Sequence, residues 1–381
     1  MNILEELLHC PTAAHAKETI VGRAKERGAK VIPFGTTGIC LLKGEGPLRI
    51  YGAHLDSPAL RLKADPICEE EGGRVLAVEV YGGPLFYSWF DRPLSIAGRV
   101  ATADGKMHLV EKKEVAIIPS LAIHLHRGVN ENFAPKPSVD LRPMLLVDGS
   151  LEEILGVGEI LSHELFLVPS EEPTAVGDFV SAYRIDDLSM VAAGLTAFFA
   201  EDTKTTKILL LLDHEEIGSH TREGAGSPLL IHLLEKLAKE RGENLFSLLE
   251  ESFLLSGDVA HGLHPNYKSA HHVHPPLLGG GMAIKSAAGR TYAGDVEGIA
   301  HLMSLARDAK VSLQHFQNHP DRRGGSTIGP ILLTHTPVAS AEIGIPILAM
   351  HASRELMHRK DYEDAVALIT TYFRRGDLSW S

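Results

Sequence analysis

The apolar run Ile208-Leu209-Leu210-Leu211-Leu212 leads without a break into Asp213-His214-Glu215-Glu216. A short, unbroken apolar run bounded by polar residues reads as a strand buried on both faces, and such a strand needs helices to cover it. Two adjacent carboxylates at the end of that strand are costly to bury together unless a cation neutralises them. This junction points to an α/β layer structure with acidic chemistry at a strand end. It is not an H-E-x-x-H helix, because Gly218 stands where the second His would be.

The same rhythm recurs on either side. Residues 13–27 read as a helix closed by Gly28, and residues 48–53 as a short strand running into His54-Leu55-Asp56-Ser57-Pro58. From about residue 89 to 173 the character changes. Short β-branched stretches (95–100, 115–118, 165–168) are broken by Gly, Pro and Asp. Beyond Gly177 the α/β pattern returns, with helices over 187–200, 228–241, 295–309 and 362–373 and buried strands over 207–212 and 345–350. The sequence thus predicts a mixed-sheet α/β/α catalytic domain built from residues 1–88 and 176–381. A β-rich insert over 89–175 interrupts it.

Composition narrows the function. The 37 Lys and Arg against 49 Asp and Glu give a formal charge of −12, which argues against nucleic acid as the main partner, because phosphate binding needs clustered Lys and Arg. Three widely spaced cysteines with no Cys-x-x-Cys pair offer neither a disulfide framework nor a thiolate zinc site. Glu5 and Glu6 sit where a signal peptide would carry positive charge, and no apolar run approaches the roughly 20 residues that cross a bilayer. A cytoplasmic protein with no membrane partner is expected.

Five segments carry acidic or His residues at a strand end or just after it, where open α/β sheets assemble their sites. In His54-Leu55-Asp56, an extended backbone points both side chains to one side, so Asp56 can orient a ligating His54; such a pair also arises by chance. Asp186 precedes a helix, and a helix N-cap is its ordinary role. The others are Asp213 to Ser219, Ser256 to His261 with Asp258, and Met350 to Glu355 with His351. Together they supply what a two-metal hydrolase needs: ligands for each metal, a bridging carboxylate and a general base. Oxygen and imidazole donors without thiolates suit zinc first, with manganese or cobalt also admitted.

Two other features read as structural. His261, His264, His271, His272 and His274 share a Pro-rich stretch with no neighbouring carboxylate, and they fit a loop or a pocket wall. Gly279-Gly280-Gly281 lacks the Lys-Ser/Thr of a phosphate loop and reads as a turn.

In this order the segments resemble the aspartyl aminopeptidase family of two-zinc metallopeptidases, nearly end to end. The resemblance rests on LLHCPTAAHA, AHLDSPALRLK, VEVYGGPLFYSWFDRPLSIAGRV, LAIHLHRGVNENF, YRIDDLSM, DHEEIGSHTREGAGSP, SGDVAHGLHPNY, GMAIKSAAGRTYA, GGSTIGPIL and LAMHASRE. It implies that His54 and Asp258 hold one metal, Glu216 and His351 the other, and that Asp186 bridges them. It also implies Glu215 as the general base and Asp56 as the residue orienting His54. The family places a dimerisation domain in the insert, from which a histidine, here matched by His124, reaches the partner's active site.

The family resemblance further implies peptide substrates with acidic N-termini, read by the matching Lys285, and homodimers assembling into a tetrahedral dodecamer. The chain departs from the family in three ways. It is shorter than typical members, with the shortfall expected mostly in the insert. His214 replaces the usual Asn before the Glu pair. Arg322 and Arg323 stand where relatives carry Pro-Cys or similar, either supplementing Lys285 or acting as plain surface charges.

Overall fold

The computed structural model of the chain describes residues 2–200, 203–322 and 324–378. The apolar run becomes the strand Thr206–Leu212, buried along its whole length. It lies parallel to Leu48–His54, also buried throughout, and Phe253–Gly257 and Ala339–Gly344 extend the parallel block. Gly38–Lys43 and Lys30–Phe34 add to one side, and Met282–Lys285 and Leu313–Phe316 to the other. The result is a mixed sheet of eight strands.

Successive side chains of a strand point to opposite faces, and this alternation divides the core in two. Leu209 and Leu211 pack in a core shared with Ala13–Glu26, Ile185–Ala200, Val296–Ala309 and Arg359–Arg374. Ile208, Leu210 and Leu212 pack in another, shared with Leu229–Arg241, Leu245–Glu250 and Ile328–Leu333. Each fully buried Leu contributes about 1.5–3 kcal/mol relative to an exposed one. The central strands therefore hold both helix layers at once, which is the α/β/α arrangement expected.

The helix ends follow local chemistry. Leu229–Arg241 stops at Gly242, whose φ of 67° is a left-handed cap that glycine adopts without a Cβ penalty. Val296–Ala309 starts at Asp295, whose side chain accepts the Gly298 N–H.

The β-rich unit is a closed barrel in which Ala59–Glu70, Gly73–Tyr81, Met144–Leu145, Met107–Ile117, Leu94–Thr102 and Ile160–Pro169 follow one another. It encloses its own core, including Leu60, Leu62, Leu76, Ile96, Val100, Leu165 and Leu167. This corrects the boundary drawn from the sequence: the unit begins near Ala59 rather than at residue 89. Leu60 and Leu62 face inward while Arg61 and Lys63 face out, the alternation of a half-buried strand. These strands close the barrel and leave no free edge.

A smaller sheet, in the order Thr174–Val176, Phe179–Ala182, Glu355–His358, Pro346–Leu348 and Ala260–His261, ties residues near 260 to those near 350. No helix among the described residues is long and apolar enough to cross a membrane.

Candidate metal centre

The candidate residues converge at one end of the parallel block. His54 is the last residue of its strand, Glu215 and Glu216 follow Thr206–Leu212, and Asp258 follows Phe253–Gly257. Asp186 lies at the start of Ile185–Ala200, across a cis peptide from Asp187, and His351 follows Pro346–Leu348.

One potential ligand atom from each of His54, Asp186, Asp187 and Asp258 lies within 4.8 Å of the others. Asp186, Glu216 and His351 form a second such group, so Asp186 belongs to both. Its two oxygens divide the work. Oδ1 is 3.3 Å from His54 Nε2, and Oδ2 is 3.4 Å from His351 Nε2, which is itself 3.5 Å from Glu216 Oε1.

A surrounding set of hydrogen bonds fixes these side chains. Asp56 Oδ1 lies 3.4 Å from His54 Nδ1, so the ring turns Nε2 toward Asp186. The Asp56 carboxylate also accepts the N–H groups of Glu215 (3.0 Å) and Glu216 (3.1 Å) and the Tyr81 hydroxyl (2.8 Å). His351 Nδ1 donates to the Gly83 carbonyl at 3.0 Å, leaving Nε2 for the cluster.

Two contributors were not assigned from the sequence. Glu355, buried, accepts the Asp186 N–H on one oxygen (2.9 Å) and the His351 N–H on the other (2.8 Å). Asp187 accepts the His54 N–H at 3.2 Å and joins the first ligand group. Both stand in segments already singled out; the signal was their proximity to Asp186 and His351, but backbone donors leave no trace in a sequence.

His214, where the family resemblance leads one to expect Asn, has φ of 65°. Asn and His are both among the residues that tolerate this left-handed region, so the replacement keeps the turn that presents Glu215 and Glu216.

The electrostatics are those of a cation site. Burial pushes the Glu215 carboxyl up to about 8, and burial with the neighbouring Asp186 holds Glu216 well above the carboxylate range. Burial opposes the charged form of His351, yet Asp186 and Glu216 outweigh it and raise its pKa to about 10. Asp186 Oδ1, Asp187 Oδ1 and Glu216 Oε1 are buried without a hydrogen-bond partner. Crowded carboxylates with orphaned oxygens beside paired imidazoles fit divalent metal ions of the N/O-preferring kind.

His54, Asp186, Asp258 and His351 line an open cavity that also includes Glu215, His261, Lys285, Tyr292 and Thr327. Lys285 is on its wall, but its buried ammonium is committed: 3.5 Å from Asp258 Oδ2, 3.3 Å from Glu342 Oε1, and bonded to the Val259 carbonyl. It neutralises those carboxylates, and a substrate carboxylate would have to share it. His124 is not brought into this cluster. It lies exposed in a turn of the long loop between Met107–Ile117 and Met144–Leu145, not on a strand. Arg322 lines a neighbouring cavity, and Arg323 lies outside the described residues. His261, His264, His271 and His272 are pocket-lining, and among the described residues no metal-ligand group includes them.

Residues 26–373 match the family model described as Aminopeptidase I zinc metalloprotease (M18). A Clostridium acetobutylicum protein named "Probable M18 family aminopeptidase 2" is 39% identical over 367 residues, covering 89% of this chain and 84% of that one. Among solved structures, the complex of Ape4 and Nbr1 superposes with a TM-score of 0.90 at 29% identity, over 98% of this chain and 84% of that one. The mApe1 dodecamer of S. cerevisiae shares the fold with a TM-score of 0.84 at 23% identity, over 98% and 96% of the two chains.

Proposed function

The chain belongs to the M18 family of zinc metalloprotease aminopeptidases, hydrolases of peptide bonds, and on that premise we propose that it removes the N-terminal residue of unblocked peptides using two divalent ions. The observation that carries this reading is the sharing of Asp186 between two ligand groups. His54 and Asp258, with Asp187 beside them, would hold one ion; Glu216 and His351 would hold the other, with Asp186 bridging. Zinc is the ion the family description names. When bound, such a pair lowers the pKa of a water and polarises the scissile carbonyl.

The remaining work belongs to the chain itself. Glu215 takes the proton of the attacking water and delivers it to the leaving amine, a role suited to a carboxylate whose surroundings raise its pKa. Asp56 holds both the His54 ring and the Glu215–Glu216 backbone, so it sets base and ligands in one geometry. Lys285, as the lysine of this cavity, gives the acidic N-terminal preference its physical basis. Its existing pairing with Asp258 and Glu342 favours the second reading, an aminopeptidase of neutral or broad specificity.

The barrel is the proposed dimerisation unit. Its loop exposes Leu121, Ile123 and Leu125 on either side of His124 in the chain, and Val139 further along, apolar side chains suited to burial against a second copy. His124 would then donate to the developing oxyanion in the partner's site, and the dodecamer of the related fold is the assembly expected.

The test is a panel of nitroanilides of Asp, Glu, Leu and Lys, assayed with zinc, manganese or cobalt and again with chelator. Chelator-sensitive cleavage is expected, with Asp and Glu ahead of Leu. Equal rates would select the broad-specificity reading. No cleavage of any unblocked substrate would sink the aminopeptidase reading.

A further inference from the structure

A second open cavity lies beside the first. The two share His261, Phe316, Gly325 and Met350 in their linings, so they adjoin directly. Asp186, Glu215 and Asp258 line the first cavity. Among the described residues no Asp or Glu lines the second, although the chain carries a formal charge of −12. Its ionisable and imidazole groups are His261, His264, His271, His272, His319 and Arg322.

The backbone fixes three of these imidazoles as hydrogen-bond donors. His271 Nε2 accepts the His264 N–H at 3.1 Å, His264 Nδ1 accepts the Asn266 N–H at 3.2 Å, and His319 Nδ1 accepts the Asp321 N–H at 3.2 Å. A neutral imidazole that accepts on one nitrogen carries its proton on the other. Each ring therefore keeps one N–H donor, and Arg322 adds a guanidinium. Asp321 approaches His319 Nδ1 at 3.9 Å but is exposed and does not line the cavity.

We propose that this cavity binds a carboxylate in the leaving portion of the substrate, just beyond the scissile bond. The inference rests on the aminopeptidase reading, since only one residue precedes the bond that such an enzyme cuts. The metal cavity takes that residue, and the cavity continuing from it takes the leaving peptide. Two carboxylates meet the description: the free C-terminus of a di- or tripeptide, and the side chain of an acidic second residue. Both match N–H donors and a guanidinium, which bind carboxylates through charge-assisted hydrogen bonds.

The experiment is steady-state kinetics on the metal-loaded protein with Leu-Ala, Leu-Ala-amide, Leu-Asp-amide and Leu-p-nitroanilide, and with the same series beginning with Asp. Substrates with a carboxylate beyond the bond should exceed Leu-Ala-amide by about tenfold in kcat/KM, mainly through KM. Whether Leu-Ala or Leu-Asp-amide leads identifies the C-terminal or side-chain source. The double variant Arg322→Gln, His319→Gln should bring the acid-to-amide ratio close to one. Cleavage of the nitroanilide with acid and amide equal would overturn this inference and leave the aminopeptidase reading standing. A variant that changed the Asp-to-Leu nitroanilide ratio instead would also overturn it, by placing the cavity on the first residue's side chain. Failure to cleave any substrate would remove both.

Discussion

The eight-stranded sheet and the six-stranded barrel are both well packed, yet they meet the candidate centre in different ways. The central sheet strands are buried on both faces and run in parallel, so their ends open together at one edge. Asp258, Glu216, His54 and Asp186, which belongs to both ligand groups, gather there with His351. The barrel strands alternate between an inner core and the outside and close on themselves. The barrel reaches the centre at its fringe, through the Tyr81 hydroxyl on Asp56 and, just beyond that strand, the Gly83 carbonyl on His351 and the Leu85 N–H on the His351 carbonyl. A parallel sheet with covered faces concentrates chemistry at its carboxyl edge, and a closed barrel leaves its surface free for other contacts.

That division can be broken by substitution. The largest effect is expected in the sheet unit. Glu215→Gln should lower kcat by about 10²–10⁴-fold while metal content stays that of the unaltered protein. Survival of activity would show that another group serves as base.

The barrel's contribution should be much smaller. Tyr81→Phe removes one hydrogen bond to the Asp56 carboxylate and should cost about 1.5 kcal/mol, roughly tenfold, measured as a loss of kcat/KM together with metal affinity. A loss as large as that of Glu215→Gln would mean that the barrel is part of the machinery and that the contrast is false.

The smallest effect is a pH dependence near the seam between the two units. Burial and Arg184 depress His15 to about 4 from 6.5, so the folded chain keeps it neutral where the unfolded chain would protonate it. This group's stabilisation is present above pH 6.5 and is lost as pH falls toward 4. His15→Gln should therefore flatten the stability profile over that window by about 1–2 kcal/mol, read from denaturant midpoints at several pH values. An unchanged profile would show that His15 is not a source of the acid sensitivity.

Much of this was legible in the sequence because it depends on local pattern. The run before Asp213 could only be a doubly covered strand, and Gly28 and Gly242 mark helix ends as read. Glu215 and Glu216 stood out because adjacent carboxylates after an apolar strand call for a cation. The barrel's first strands were missed although Leu60-Arg61-Leu62-Lys63 alternates cleanly, because the run of short β-branched stretches without helix-length patterns was read only from near residue 89. Glu355 and Asp187 escaped assignment because their roles are set by backbone N–H groups of Asp186, His351 and His54. The pairing of Lys285 with Glu342 joins antiparallel neighbours in the sheet, a long-range relation that no short motif encodes.

The central claim is that one carboxylate, Asp186, serves two adjacent metal positions. Metal analysis of the purified protein and of its Asp186→Asn variant, with folding checked by circular dichroism, tests it most directly. Two divalent ions per chain are expected in the unaltered protein and well under one in the variant, because both positions lose the same ligand. A folded variant that keeps one ion at full occupancy would contradict the shared site.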